Sequence, residues 1–235
     1  MMAEKTGTSV VNVKEEMAKE LAGYGDRVQN GDFIKCTKQK TFKLPTGEET
    51  AGPIYCVILD FVSGNFFYDR PWKEGEVMAP ACFALGVEKN ELLKPHETAP
   101  AKEATSCDPE VCPNNVFGSK GSGKACANNR ILAVLLNPDS TDPKQPVYYL
   151  KLSPTAIKPF DAYIGRVRNE FKTTPIGVIT ELYFDPNSSH QSVRFGKAKE
   201  NVNLQVHWGK KEAALKRLLS PPDVSNYEAP KGAKK

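Results

Sequence analysis

The sequence predicts a mostly β fold with minor α, and three observations carry that expectation. Short runs of β-branched and aromatic residues recur along the chain, Pro, Gly, Asn and Asp punctuate them, and one amphipathic helical stretch separates the earlier runs from the last two. With 235 residues, 40% apolar and 26% charged, the chain can bury one generous core.

The elements follow in order. Ser9 caps a short helix whose Val10, Val13, Met17 and Leu21 repeat at helical spacing up to Gly23. Over residues 32–44, Ile34, Cys36, Lys38 and Lys40 alternate with Lys35, Thr37 and Gln39, a strand pattern that Pro45-Thr46-Gly47 turns. Residues 54–61 give a second strand, Gly64-Asn65 a hairpin turn signal, and residues 66–68 the return strand. Residues 77–87 read as a strand interrupted at Pro80. Residues 89–129 are rich in Pro, Asn, Gly, Ser and Lys and show no periodic element, a length that compact domains carry chiefly when it is functional, disordered or pinned. Residues 131–136 and 147–152 are partner strands across a turn-rich segment. Pro159 then opens a helix with Phe160, Tyr163, Ile164, Val167 and Phe171 on one face and Arg166 and Arg168 on the other. Strands over 176–184 and 192–195 follow, and a basic helix over 210–219 stops at Pro221-Pro222.

Several strands, one helix and two more strands fit a five-stranded barrel of the oligonucleotide-binding (OB) type. In this reading residues 1–29 are a helical extension, 30–200 the barrel with a long Cys-containing loop inserted at 89–129, and 201–235 a basic helix and tail. No internal repeat is apparent, so one barrel per chain is expected, and a homodimer is compatible with it.

Net charge is +4 and unevenly placed. Residues 191–235 carry ten Lys or Arg against four Asp or Glu, a local +6, while the preceding 190 residues sum to −2. A basic end commonly meets phosphate, and here it suggests affinity for duplex DNA in addition to any other site. The longest aliphatic run, residues 131–136, is far too short to cross a bilayer, and the Met-Met-Ala-Glu-Lys start lacks a signal peptide's apolar centre. The expected location is the cytoplasm, with no membrane partner. The six cysteines are then thiols or metal ligands.

Cys107 and Cys112 are separated by four residues, a spacing found in structural zinc pairs, with Cys82 before them and Cys126 after. Two readings stand: a zinc site that orders the polar loop, or four unligated thiols. Cys36 and Cys56 read as core residues of strands. The same loop nearly spells a phosphate-binding loop in Gly118-Ser119-Lys120-Gly121-Ser122-Gly123-Lys124-Ala125, but Ala125 lacks the hydroxyl that holds magnesium and no apolar strand leads into it. No nucleotide cofactor is expected. Lys120 and Lys124 suit contacts to a nucleic-acid backbone.

The stretch Phe61-Val62-Ser63-Gly64-Asn65-Phe66-Phe67-Tyr68-Asp69-Arg70-Pro71-Trp72 sets aromatic rings beside positive charge, which suits the faces and phosphates of unpaired bases. Phe66-Phe67-Tyr68-Asp69-Arg70-Pro71, Pro80-Ala81-Cys82-Phe83-Ala84, Cys112-Pro113-Asn114-Asn115-Val116-Phe117-Gly118-Ser119 and Gly123-Lys124-Ala125-Cys126, in that order, resemble a group of bacteriophage single-stranded DNA-binding proteins with an OB fold. The resemblance covers roughly residues 30–195. It implies non-catalytic binding and protection of single-stranded DNA in phage replication and recombination, in the host cytoplasm, and it strengthens the four-cysteine zinc reading.

Stacking plus charge is the expected mechanism. The rings are Phe66, Tyr68 and Trp72, with Tyr148 and Tyr183 behind them, and strand alternation assigns Phe67 to the core. The backbone contacts are Lys35, Lys38, Lys40, Arg70, Lys151 and Arg194, joined by Lys120, Lys124 and Arg130 of the loop. Two alternatives belong to other classes. A metal-dependent nuclease would gather carboxylates such as Asp60 and Asp69, and a zinc-stabilised structural protein would bind no DNA. His96, His190 and His207 are dispersed, and no hydrolase motif occurs.

Overall fold

The computed structural model describes residues 32–71 and 78–229, so the expected helix after Ser9, Trp72 and the terminal lysines lie outside the described residues. The described residues from Phe33 onward form one compact unit. Among the described residues nine strands are present: β1 (Phe33–Cys36), β2 (Phe42–Lys43), β3 (Glu49–Thr50), β4 (Ile54–Phe67), β5 (Cys82–Gly86), β6 (Cys126–Leu135), β7 (Tyr148–Leu152), β8 (Val178–Phe184) and β9 (Val193–Glu200). Helix α1 (Pro154–Phe171) separates β7 from β8, and α2 (Leu204–Trp208) and α3 (Lys211–Leu218) follow β9. The fold is mostly β, as expected: one curled mixed sheet in the order β3-β2-β1-β7-β6-β4-β8-β9, with β5 added to β4. β1 runs parallel to β7 and the other pairs are antiparallel.

The expected hairpin at Gly64-Asn65 does not form. β4 runs straight through both residues for 14 positions. The glycine serves packing rather than turning: a Cβ there would lie 2.8 Å from Cε2 of Phe66, whose ring folds back over it. Asn65 is buried, and its side-chain oxygen accepts from Asn90 Nδ2 at 2.7 Å and from Asn128 Nδ2 at 2.6 Å. Those partners satisfy a polar side chain that would otherwise favour a turn.

β4 joins the parts of the sheet. One edge pairs with β6 along Val57 to Phe67, while the other pairs first with β8 at Ile54 to Cys56 and then with β5 at Ser63 to Phe67. A bulge between Ile58 and Asp60 resets the alternation, so Val57 before it and Leu59 within it share a face with Val62 and Phe66 after it. Both faces are covered, which explains the unbroken apolar runs. On one face Ile58, Leu132, Leu150 and Leu182 pack beneath Ala156, Phe160, Tyr163 and Val167 of α1. On the other, Val62, Ile131 and Ala133 join Ala214 and Leu218 of α3, so the basic C-terminal helix is part of the core.

Curling brings the ends of the sheet together. Phe42 and Phe184 rings stand 4.3 Å apart, and Lys40 Nζ donates to the Asp185 and Pro186 carbonyls at 3.1 Å each. Residues 37–41 are a turn, with Lys40 at φ 59, rather than a continuation of β1. α1 starts after Ser153 at Pro154, earlier than the expected Pro159. Pro154 suits the first turn, whereas Pro159 lies inside the helix, where it removes the N–H that would have reached the Thr155 carbonyl and its ring crowds that carbonyl. Among the described residues no helix is long and apolar enough to cross a membrane.

Candidate nucleic-acid interface and cysteine cavity

The sheet's alternation assembles a lysine row. Ile34 and Phe42 point into the core under α1, so Lys35 and Lys43 project from the opposite face, and the two are cross-strand partners. β1 lies along β7 with Phe33 beside Tyr149 and Ile34 beside Leu150, so Lys35 comes next to Lys151. Lys43, Lys35 and Lys151 thus occupy three adjacent strands about 4.8 Å apart. Like charges placed side by side repel, and among the described residues none of the three is in an ion pair, although Glu49 stands beside Lys43 at the end of the row.

Rings line this row on the same face. Phe33 and Tyr149 have centroids 5.6 Å apart, and the Lys151 ammonium sits 3.9 Å above the Phe66 ring. Surrounding protein desolvates that ammonium and lowers its pKa to about 8, although the residue keeps exposed surface. Phe66 itself is only 7% exposed and packs in the second core, whereas Phe67, expected in the core, is half-buried beside the cysteines.

The other expected residues fall into two groups and some singles. Lys38 is exposed on the 37–41 turn, and Lys40 of the same turn is held by its two carbonyls. Across the seam, Arg194 pairs with Asp185 at 3.2 Å and with the Ser192 hydroxyl, next to Tyr183, its cross-strand neighbour. The second group lies in the β5–β6 connection. Lys120 is exposed at a tight turn bridged to Gly123, and Lys124 Nζ donates to Asn115 Oδ1 at 3.1 Å while lying 5.1 Å from the centre of the Phe117 ring. Arg130 sits elsewhere, 7% exposed, with its guanidinium donating to Ser63 Oγ at 2.9 Å and to Asn90 Oδ1, and with Asp161 at 3.7 Å. Tyr148 is half-buried against the core under α1. Tyr68 and Arg70 are half-buried near the chain's end, where the Tyr227 hydroxyl donates to Asp69 at 2.5 Å. Burial raises the Tyr68 hydroxyl pKa.

Three candidates were missed by the sequence reading: Phe33, Lys43 and Phe117. Period-two alternation counted outward from Ile34 and Phe42 would have found the first two. Phe117, 77% exposed, is a lone ring in a polar, glycine-rich segment, and that isolation was its signal.

Cys82, Cys107, Cys112 and Cys126 line one small cavity together with Asn65 and Phe67. Cys82 and Cys126 flank Phe67 in the sheet register, and Cys107 and Cys112 come from the loop above. Burial pushes the Cys82 thiol up to about 11 and the Cys126 thiol up to about 12, with further upward contributions from the neighbouring cysteines. Among the described residues no three Cys, His, Asp or Glu side chains are gathered closely enough to hold an ion. Cys36 and Cys56 belong to the core under α1.

Asp60 and Asp69 do not meet. Asp60 pairs with Lys211, and Asp69 with Tyr227. Of the C-terminal cations, Lys211 is thus paired, and Lys210 donates to the Pro143 and Gln145 carbonyls at 2.5 and 2.8 Å. No protein family, curated protein or solved structure matches the chain.

Proposed function

We propose that the chain binds single-stranded DNA, largely without sequence preference, along the outer face of β2, β1 and β7, in the service of replication or recombination. The observation that carries this reading is the row Lys43, Lys35 and Lys151 beside Phe33, with the Phe66 ring beneath Lys151. A row of repelling cations is relieved by a polyanion, and a neighbouring ring gives unpaired bases a surface on which to stack. The buried Phe66 and Tyr149 make the floor. The half-buried Phe33 and the exposed Phe117 offer ring faces.

Strand order also favours an OB-type reading. Taking β4, β6, β7, β8 and β9 as its five strands puts α1 between the third and fourth, with β1 added beside the third. Such folds bind along strands two and three and through the loops joining strands one to two and four to five. Here those places correspond to Tyr149 and Lys151, to the loop bearing Phe117, Lys120 and Lys124, and to the seam at Arg194.

The test is a fluorescence-anisotropy titration of a labelled single strand with magnesium present and matched duplex as competitor. The reading requires tight binding that weakens with salt, prefers the single strand and leaves it uncleaved. Absence of binding at low salt contradicts it, and cleavage would favour the nuclease alternative.

A further inference from the structure

The connection between β5 and β6 is long and polar, and its buried apolar side chains are few: Leu93 and Cys107, which cluster with Ala84 of β5, and Ala99, which joins the core under α3. So little apolar burial supplies little ordering free energy. What it has instead is four thiols converging from three stretches of chain: Cys82 at the first residue of β5, Cys126 at the first of β6, and Cys107 and Cys112 between them.

We propose that Cys82, Cys107, Cys112 and Cys126 bind one zinc ion, which ties the β5–β6 connection to the sheet. Donor chemistry and number fit: four thiolates are a preferred tetrahedral set for structural zinc. Size fits a single ion. The cavity is small, about 20 Å³, against roughly 10–15 Å³ for one water.

The surroundings fit as well, because metal ligands are usually oriented by hydrogen bonds one layer out. The Asn65 side chain donates to the Cys107 thiol, and Asn115 Nδ2 donates to the Cys107 carbonyl while receiving Lys124 at its own oxygen. The Cys107 amide donates to Leu93 at 2.8 Å, and the Cys112 amide to Asp108 at 2.7 Å. The thiols are not yet gathered within ligation distance, so they must close inward on the ion. Because Cys112 and Cys126 flank the segment bearing Phe117, Lys120 and Lys124, the ion would also fix the base of that projection.

Metal analysis of the full-length protein purified under reducing conditions tests the site without reference to DNA binding. The expected content is about one zinc per chain. Chelation should lower the melting temperature, and cobalt substitution should give the visible spectrum of a tetrahedral thiolate site. Cys112→Ser and Cys126→Ser should lose the metal, while Cys36→Ser keeps it. Should those variants fail to fold, the zinc content and cobalt spectrum of the unmodified chain still decide. No zinc and no cobalt uptake, iron in its place, or disulfides among these cysteines would overturn the proposal, as would full zinc occupancy in a folded Cys112→Ser variant.

Discussion

At Lys151 two opposing demands meet. Desolvation by the surrounding protein lowers the ammonium's pKa to about 8, while the Phe66 ring below it favours the charged form. A phosphate placed beside it favours the charged form, so binding above that pH must draw a proton from solvent. The sign follows: affinity is full below about pH 8, where Lys151 is already charged, and falls as pH rises beyond it. Lys151→Arg keeps its charge throughout, and its single-strand affinity should stay flat between pH 7.5 and 9.5 where the natural protein weakens. Titrations at the two pH values, read as the ratio of dissociation constants, check this.

The elements owe their placement to polar as much as to apolar side chains, and this separates what could be read in the sequence from what could not. Strands β7 and β8 and helix α3 were legible within a residue or two because apolar runs or periodicity mark them. β4 was not, since Gly64-Asn65 carries the same local signal whether it turns or stays extended. Long-range partners decide: Phe66 over the glycine, and Asn90 and Asn128 on the asparagine.

Arg130 illustrates the same limit. An arginine after a cysteine loop reads as a phosphate contact, yet here it joins Ser63 and Asn90 inside the fold. Asn90 is the hub of that network, with its amide also reaching the Gly64 and Asn129 carbonyls at 3.3 Å. Replacing it by Ala leaves a buried guanidinium short of an acceptor, and Asn90→Ala should cost about 1.5–3 kcal/mol. A urea midpoint lowered at unchanged slope is the expected result, with the β5–β6 connection the first region to lose hydrogen-exchange protection.

Over the whole molecule, the mostly β class and the single helix between strand groups were legible from composition and pattern, while the way the sheet gathers distant residues was not. Lys35 and Lys151 were found by residue type and Lys43 was overlooked, because nothing local says that β2, β1 and β7 are neighbours. The parallel pairing of β1 with β7 makes the row, and it is a contact between the start of the domain and its middle. The four cysteines show the converse: their grouping was one of the readings that spacing left open, strengthened by the resemblance, and the fold brings them to one cavity from β5, the loop and β6.

The lysine row is the central claim, and salt dependence measures it most directly. Anisotropy titrations of a labelled single strand over a series of salt concentrations would compare the natural protein with the triple variant Lys35→Ala, Lys43→Ala and Lys151→Ala. Each lost phosphate contact should flatten the slope of log affinity against log salt by about 0.7, so the triple variant should lose about 2 in slope. Circular dichroism should show the fold intact. An unchanged slope in a folded triple variant would contradict the interface described here.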